Sequence, residues 1–182
     1  MLQEIVDKLK EGKTILYPTD TVWGLGCDAT NEDAVKKIYT IKNRAESKSL
    51  IILVSSISML KEFVEEIPEK AIRILKSATK PTTIIYQNPK GLAVNTIASD
   101  NTIAIRIPDS EFCVQMIESF GKPVVSTSAN ISGEPTPKSF SEMSNAILNS
   151  VDYVVNLQQD KVNEKSSTIL KIDGDDIIVI RE

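Results

Sequence analysis

The sequence predicts an α/β protein whose sheet mixes parallel and antiparallel strands. Strand-like and helix-like periodicities interleave along most of the 182 residues, and several strand segments follow one another too closely to hold a crossover helix between them. With 41% hydrophobic residues the chain is long enough to bury a core, and no internal repeat or low-complexity linker divides it. Residues 1–182 are therefore read as a single domain with flanking helices.

Ile5, Val6 and Leu9 share a helical face and Gly12 follows as a C-cap, so the chain opens with a short helix. Thr14 to Tyr17 is a strand. Asn31 caps a second helix, with Glu32 and Asp33 in the first turn, where the helix dipole favours acids, and with Ala34, Val35, Ile38 and Ile41 as its apolar stripe. That helix frays near Lys42. A buried strand at Leu50 to Val54 precedes helical patterns at Ser58 to Glu66 and Pro68 to Ser77, where Pro68 suits the first helical position. Strands are expected at Thr82 to Tyr86, Thr102 to Ile107, Val124 to Thr127, Tyr153 to Asn156, Thr168 to Ile172 and Ile177 to Ile180. Helices are expected at Ser110 to Ser119 and Ser139 to Asn149.

Composition narrows the function classes. A net charge of −4 argues against a surface coated for phosphate binding, while leaving room for a local basic site. Cys27 and Cys113 lie far apart, with no C-x-x-C and no histidine in the chain, so a zinc site and a disulfide framework both lack material and no metal site is assigned. Two reduced, buried thiols in a cytoplasmic protein are expected. The opening MLQEIVDKLKEGK is charged throughout, unlike a signal peptide, and no apolar run approaches membrane-spanning length, so a soluble protein without a membrane partner is expected.

The polar candidates fall into four groups. In NTIAIRIPD, strand parity puts Ile103, Ile105 and Ile107 on one side and Thr102, Ala104 and Arg106 on the other, which is a core face and a potential site face, or an ordinary half-solvated strand. In VVSTSANISG, Ser126, Ser128 and Asn130 are spaced by two and project in a row from a strand end, where open α/β sheets bind ligands. A hydroxyl-rich loop capping its own backbone is the alternative. A serine nucleophile needs a base, and without histidine these groups suit hydrogen bonding to phosphate or ribose better than attack. Lys42 and Arg44 point together if the helix has ended, and then clamp polyanionic phosphate; otherwise they are a solvated pair. In YPTDTVWGLG, Pro18 stops a strand, Thr19 and Thr21 share a side, and Gly24 and Gly26 permit a tight backbone path. The third glycine of a dinucleotide fingerprint and the P-loop lysine motif are missing, which argues against Rossmann and Walker sites.

YPTDTVWGLG, the K-x-R at Lys42 to Arg44, TIAIRIP and the S-x-N at Ser128 to Asn130 occur in the order seen in YrdC-type threonylcarbamoyl-adenylate synthases. With SSTILKI and Arg181 the resemblance spans nearly the whole chain. It implies a twisted mixed sheet with a concave, positively charged site face. It implies a nucleotidyltransferase that condenses L-threonine, bicarbonate and ATP to threonylcarbamoyl-AMP and pyrophosphate, the first step of tRNA threonylcarbamoyladenosine modification. By the same carry-over Lys42 and Arg44 neutralise charge at the reacting centre, Thr102, Ser126, Ser128, Asn130 and Arg181 hold the nucleotide, and Thr19 or Thr21 with Arg106 and Ser167 hold threonine. ATP is expected to bring Mg2+ as a substrate complex, with no tightly bound cofactor. Proteins that transfer threonylcarbamoyl to tRNA are the implied partners, with tRNA itself bound at most weakly.

The family usually continues K-x-R as R-P-x-x-x-P-L, whereas RAESKSL puts Ala45 and Ser49 in the proline places and Lys48 where a threonine contact is often found. The longer synthases carry a further C-terminal domain, so any lid is expected from within these residues or from partners. The rival of another class is an RNA-binding module of the same fold without ATP turnover, which the acidic balance disfavours. A carbamoyl-adenylate site of the hydrogenase-maturation kind belongs to a much longer chain with zinc-finger cysteines.

Overall fold

The computed structural model describes the chain except for residues 47–49, 164 and 175. Lys48 and Ser49, on which part of the departure from the family pattern falls, lie outside the described residues. Helix α1 (Leu2–Lys10) buries Ile5, Val6 and Leu9 and ends as its composition demands: Gly12, at φ +69°, donates to Leu9 O, and Lys13 donates to Lys8 O. Strand β1 (Ile15–Tyr17) follows, then β2 (Gly24–Gly26). Helix α2 (Glu32–Lys42) starts where Asn31 Oδ1 accepts from Ala34 N and stops at Asn43, which takes the left-handed conformation at φ 49°. After β3 (Ile51–Leu53) come α3 (Ile57–Phe63), capped by Ser56, and α4 (Glu69–Ser77), with Pro68 at the N-cap, one position earlier than expected. Strands β4 (Thr82–Gln87) and β5 (Thr102–Arg106) lead to α5 (Glu111–Phe120), held between the Ser110 cap and Gly121. The chain closes with β6 (Val124–Ser128), α6 (Asn145–Leu148), β7 (Tyr153–Val154), β8 (Thr168–Asp173) and β9 (Asp176–Arg181).

The described strands form one sheet in the order β7-β1-β2-β6-β3-β5-β4-β8-β9. The β1–β7, β3–β5 and β4–β8 pairs are parallel and the other neighbours antiparallel, which is the mixed sheet that the crowded strand signals predict. Alternation sorts the two faces. Leu25, Ile52, Ile84, Ile103, Ile105 and Val125 join the apolar faces of α2, α3 and α4 in one core. Ile15, Tyr17, Leu53 and Val124 pack with α1 and α5 in a second. Each fully buried aliphatic side chain in these layers contributes about 1.5–3 kcal/mol over an exposed one. The second face continues past Val124 and Leu53 into Ser126, Ile51, Ala104, Arg106 and Ile85, joined by strand register, and there it opens into a cavity.

The segment from Ser139 to Asn149 is not one helix. It divides into a 3-10 turn at Phe140–Glu142 and α6, because Ser144 leaves the helix and its hydroxyl accepts from Ile147 N as a new N-cap. Strand β2 carries no strand signal, since Gly-Leu-Gly reads as a turn. Its glycines answer to packing: a Cβ on Gly26 would stand 2.6 Å from both Tyr17 Cε1 and the Val125 carbonyl oxygen. Both cysteines are free and buried, and burial pushes the Cys113 thiol up to about 11 and Cys27 higher still, so neither is a reactive thiolate. No helix among the described residues is long and apolar enough to cross a membrane.

Because the Val125 oxygen belongs to backbone, Gly26→Ala has nowhere to put its methyl group. A loss of roughly 1–3 kcal/mol in urea denaturation is expected, and wild-type stability would contradict the packing described.

Candidate functional site

The cavity, about 350 Å³, lies over one face of the sheet, across β2, β6, β3, β5 and β4, and is closed on the far side by β8 and β9. Arg44, Arg106 and Arg181 stand around it, with the hydroxyls of Thr21, Ser126, Ser128 and Ser167 between them. Its apolar floor includes Ile51, Ala104 and Ile85, consecutive across one register row. The next row runs Arg106, Thr83, Ile169, Arg181, which places two arginines on one face at opposite ends of four adjacent strands.

Arg106, 3% exposed, donates through Nη1 to Asp20 and through Nη2 to Thr21 Oγ1 at 3.4 Å, while its buried Nε has no partner among the described residues. Thr19 is spent on its own turn: its hydroxyl donates to Val22 O at 2.8 Å and accepts from Thr21 N at 3.0 Å. The 3.0 Å contact between the two threonine hydroxyls therefore has Thr21 as donor, leaving Thr21 Oγ1 to accept from Arg106. On the other side, Arg181 donates from Nε and Nη2 to Ser167 O, and from Nη2 to Ser167 Oγ at 3.1 Å; Ser167 Oγ in turn contacts Thr83 Oγ1 at 2.8 Å. Burial, and after it the Arg106 charge, lowers the Arg181 guanidinium from its usual value.

The helix ends between Lys42 and Arg44, at Asn43, and the two side chains part instead of pointing together. Arg44 lines the cavity. Lys42 is 2% exposed and lies behind it, its ammonium donating to Ser128 O at 2.5 Å and Asn130 O at 2.8 Å, while its own carbonyl accepts from Ser132 N at 2.8 Å. It thereby pins the S-x-N turn to the end of α2. Burial, and then the Arg44 charge, pulls the Lys42 ammonium down to about 8. Asn130 faces away from the hydroxyl row into an adjoining hollow of about 280 Å³, donating from Nδ2 to Ile131 O and Glu134 O, with Oδ1 buried and unpartnered among the described residues. Thr102 sits at the opposite end of β5, bonded to Asp100 at 2.6 Å, and is not part of the cavity wall.

Three contributors escape a reading of the sequence. Asp20 stands between the two threonines, Thr83 is the next same-face residue along β4 from Ile85, and Asn163 anchors the loop before β8 by donating to Thr21 O from Nδ2 and to Lys138 O from its backbone. Only Thr83 carries a signal, its strand parity. The partners of Asp20 and Asn163 are remote in sequence.

The site is thus an arginine- and hydroxyl-lined cavity on one face of a mixed α/β sheet. The Sua5/YciO/YrdC family model, described as telomere recombination, matches residues 7–182, and the chain belongs to that family. It is 39% identical over 131 residues to the threonylcarbamoyl-AMP synthase of Bacillus subtilis, covering 71% of this chain and 38% of that one. It is 32% identical over 164 residues to the threonylcarbamoyl-AMP synthase of Pyrococcus abyssi, covering 88% and 48%. A putative threonylcarbamoyl-AMP synthase of Methanocaldococcus jannaschii is 35% identical over 184 residues, covering 100% and 85%. The chain thus spans less than half the length of the first two relatives. Among solved structures, P. abyssi Sua5 complexed with L-threonine superposes with a TM-score of 0.88 at 28% identity, covering 99% of this chain and 53% of that one. E. coli YciO, at 23% identity and a TM-score of 0.87 over 100% and 90%, shares the fold.

Lys42→Met is expected to cost about 1–3 kcal/mol, because two buried carbonyls lose their donor. The Lys42 value in the folded protein lies below the usual 10.5, so between about 8 and 10.5 the unfolded chain holds a proton that the folded one has released. The stability of wild type relative to Lys42→Met should therefore rise with pH across that window. Urea melts of both proteins at neutral pH and at about pH 10 measure this; a gap that shrinks with pH refutes it.

Proposed function

We propose that the protein condenses L-threonine, bicarbonate and ATP to L-threonylcarbamoyl-AMP and pyrophosphate, a nucleotidyl transfer that supplies threonylcarbamoyl for tRNA modification. The observation that carries this reading is the gathering of three arginines and a row of neutral hydroxyls around one cavity, in a chain that has no histidine to activate a nucleophile. The chemistry matches that inventory. Bicarbonate takes up a proton and loses water to give CO2, the neutral threonine amine adds to the CO2 carbon and gives up a proton to form a carbamate, the carbamate oxygen attacks the α-phosphorus of ATP, and pyrophosphate leaves with the electron pair of the broken P–O bond. Two anions must meet, so the step needs positioned cations and donors that offset repulsion more than it needs a covalent intermediate.

Arg44 takes phosphate charge at the reacting centre, Ser126 and Ser128 donate to the nucleotide, and Arg181 closes the nucleotide side, with Ile169 and Ile180 on the apolar wall beside it. Arg106, Thr21 and Ser167 hold threonine. Lys42 serves the centre by fixing the S-x-N turn, and Asn130 and Thr19 shape the backbone around it, while Thr102, bonded to Asp100 at the far end of β5, has no part in it. ATP enters with its Mg2+, and the labile adenylate passes to a threonylcarbamoyl transferase. The names of the relatives, the threonine complex of P. abyssi Sua5 and the sequence resemblance all support this assignment.

Pyrophosphate release from ATP should require L-threonine and bicarbonate together and should not respond to carbamoyl phosphate. Release without either, or none at all, would reject the reading. Arg44→Ala should abolish release in a folded protein. Ser128→Ala should weaken it by about one hydrogen bond, roughly 0.5–1.5 kcal/mol, whereas total loss of turnover with unchanged ATP affinity would restore a catalytic serine.

A further inference from the structure

Asp20 does not line the cavity, yet its side chain is 5% exposed and both of its oxygens are committed: Oδ1 accepts from Arg106 Nη1, and Oδ2 accepts from Asp109 N at 3.1 Å. The carboxylate thus ties the turn after β1 to the loop between β5 and α5, with the Arg106 guanidinium between them. A guanidinium has five N–H donors arranged as two usable edges. Asp20 consumes Nη1. The Nε–Nη2 edge is what remains, with Nη2 reaching Thr21 Oγ1 only at 3.4 Å and Nε buried without a partner among the described residues. An unmatched donor on a buried cation is costly, and a side-on Nε–Nη2 edge has the spacing of a planar carboxylate.

We infer that Asp20 is a positioning residue for amino-acid recognition: it holds Arg106 from behind, so that the Nε–Nη2 edge meets the substrate α-carboxylate. Two consequences follow from the charges. The orientation of the fork is set before substrate arrives, so less freedom is lost on binding. The Asp20–Arg106 pair is also neutral as a unit, so it does not attract polyphosphate as an isolated arginine would, and it selects by the geometry of two parallel hydrogen bonds. This inference rests on the proposal that threonine is a substrate.

The test compares Asp20→Ala, which removes the tether, with Asp20→Asn, which keeps an acceptor for Nη1 and removes the charge. In Asp20→Ala, the KM for L-threonine should rise about tenfold or more, while kcat at saturating threonine and the KM for ATP stay within about twofold. Asp20→Asn should keep its threonine KM within about threefold, and inorganic phosphate should become a competitor of threonine about tenfold stronger than in wild type. L-Threoninamide, which lacks the carboxylate, should bind all three proteins equally weakly by calorimetry. Asp20 has no such role if the alanine variant matches wild type, if kcat and ATP affinity fall together with threonine affinity, or if asparagine is as damaging as alanine. Should the alanine variant not fold, the phosphate competition in Asp20→Asn decides: unchanged competition overturns the inference. Wild-type protein that neither binds nor turns over threonine would instead remove the substrate proposal on which it rests.

Discussion

The register of β3, β5 and β6 is the constraint on which the site rests. Ile51 pairs with both Ser126 and Ala104, and Leu53 with both Val124 and Arg106, so one face of these strands passes from packed core under α1 and α5 into polar cavity. A slip of one residue would turn Arg106 and Ser126 into the opposite core and bring Ile105 and Val125 into solvent. The aliphatic layer on the far face, with Ile52, Ile105 and Val125 fully or almost fully buried, makes that slip expensive. Hydrophobic alternation, which says nothing about chemistry, is thus what aims the arginine and the serines at one point.

Charge management follows from that placement. Three arginines around one cavity would repel one another in the empty protein, and the structure moderates this with Asp20 behind Arg106 and with the Ser167 carbonyl and hydroxyl against Arg181. Lys42 is turned outward from the cavity and set against carbonyls, so its buried cation stiffens a turn while three guanidinium groups face the ligand space. The hydroxyls contribute directional donors and acceptors without adding charge. Such a site suits chemistry in which anions must be brought together, and it leaves the two buried thiols as core residues.

Much of this was legible in the sequence because it is local. The parity of TIAIR separated Ile103 and Ile105 from Ala104 and Arg106, and the two-residue spacing of Ser126 and Ser128 placed both on the cavity wall. What escaped is non-local. Gly24–Gly26 is a strand through its pairing with β1 and β6, and Tyr17 and the Val125 carbonyl leave room for no side chain at Gly26. Asn130 shares the spacing of the serines, but β6 ends at Ser128 and the turn swings its amide onto Ile131 and Glu134 carbonyls. Lys42 reads in the sequence as half of a phosphate clamp, whereas the turn at Ser128 to Ser132 folds over it and takes its ammonium on two carbonyls. Asp20 meets Arg106 across 86 positions of sequence, a partnership that no local pattern signals.

The most direct test of the account follows the carbon. Purified protein incubated with ATP, Mg2+, L-threonine and 13C-labelled bicarbonate should yield a new 13C carbonyl resonance, coupled to phosphorus, on a small molecule in solution, with the protein mass unchanged. An acyl or adenylyl adduct on the protein, or labelled bicarbonate left unincorporated while ATP is consumed, would contradict a site that works by charge and positioning alone.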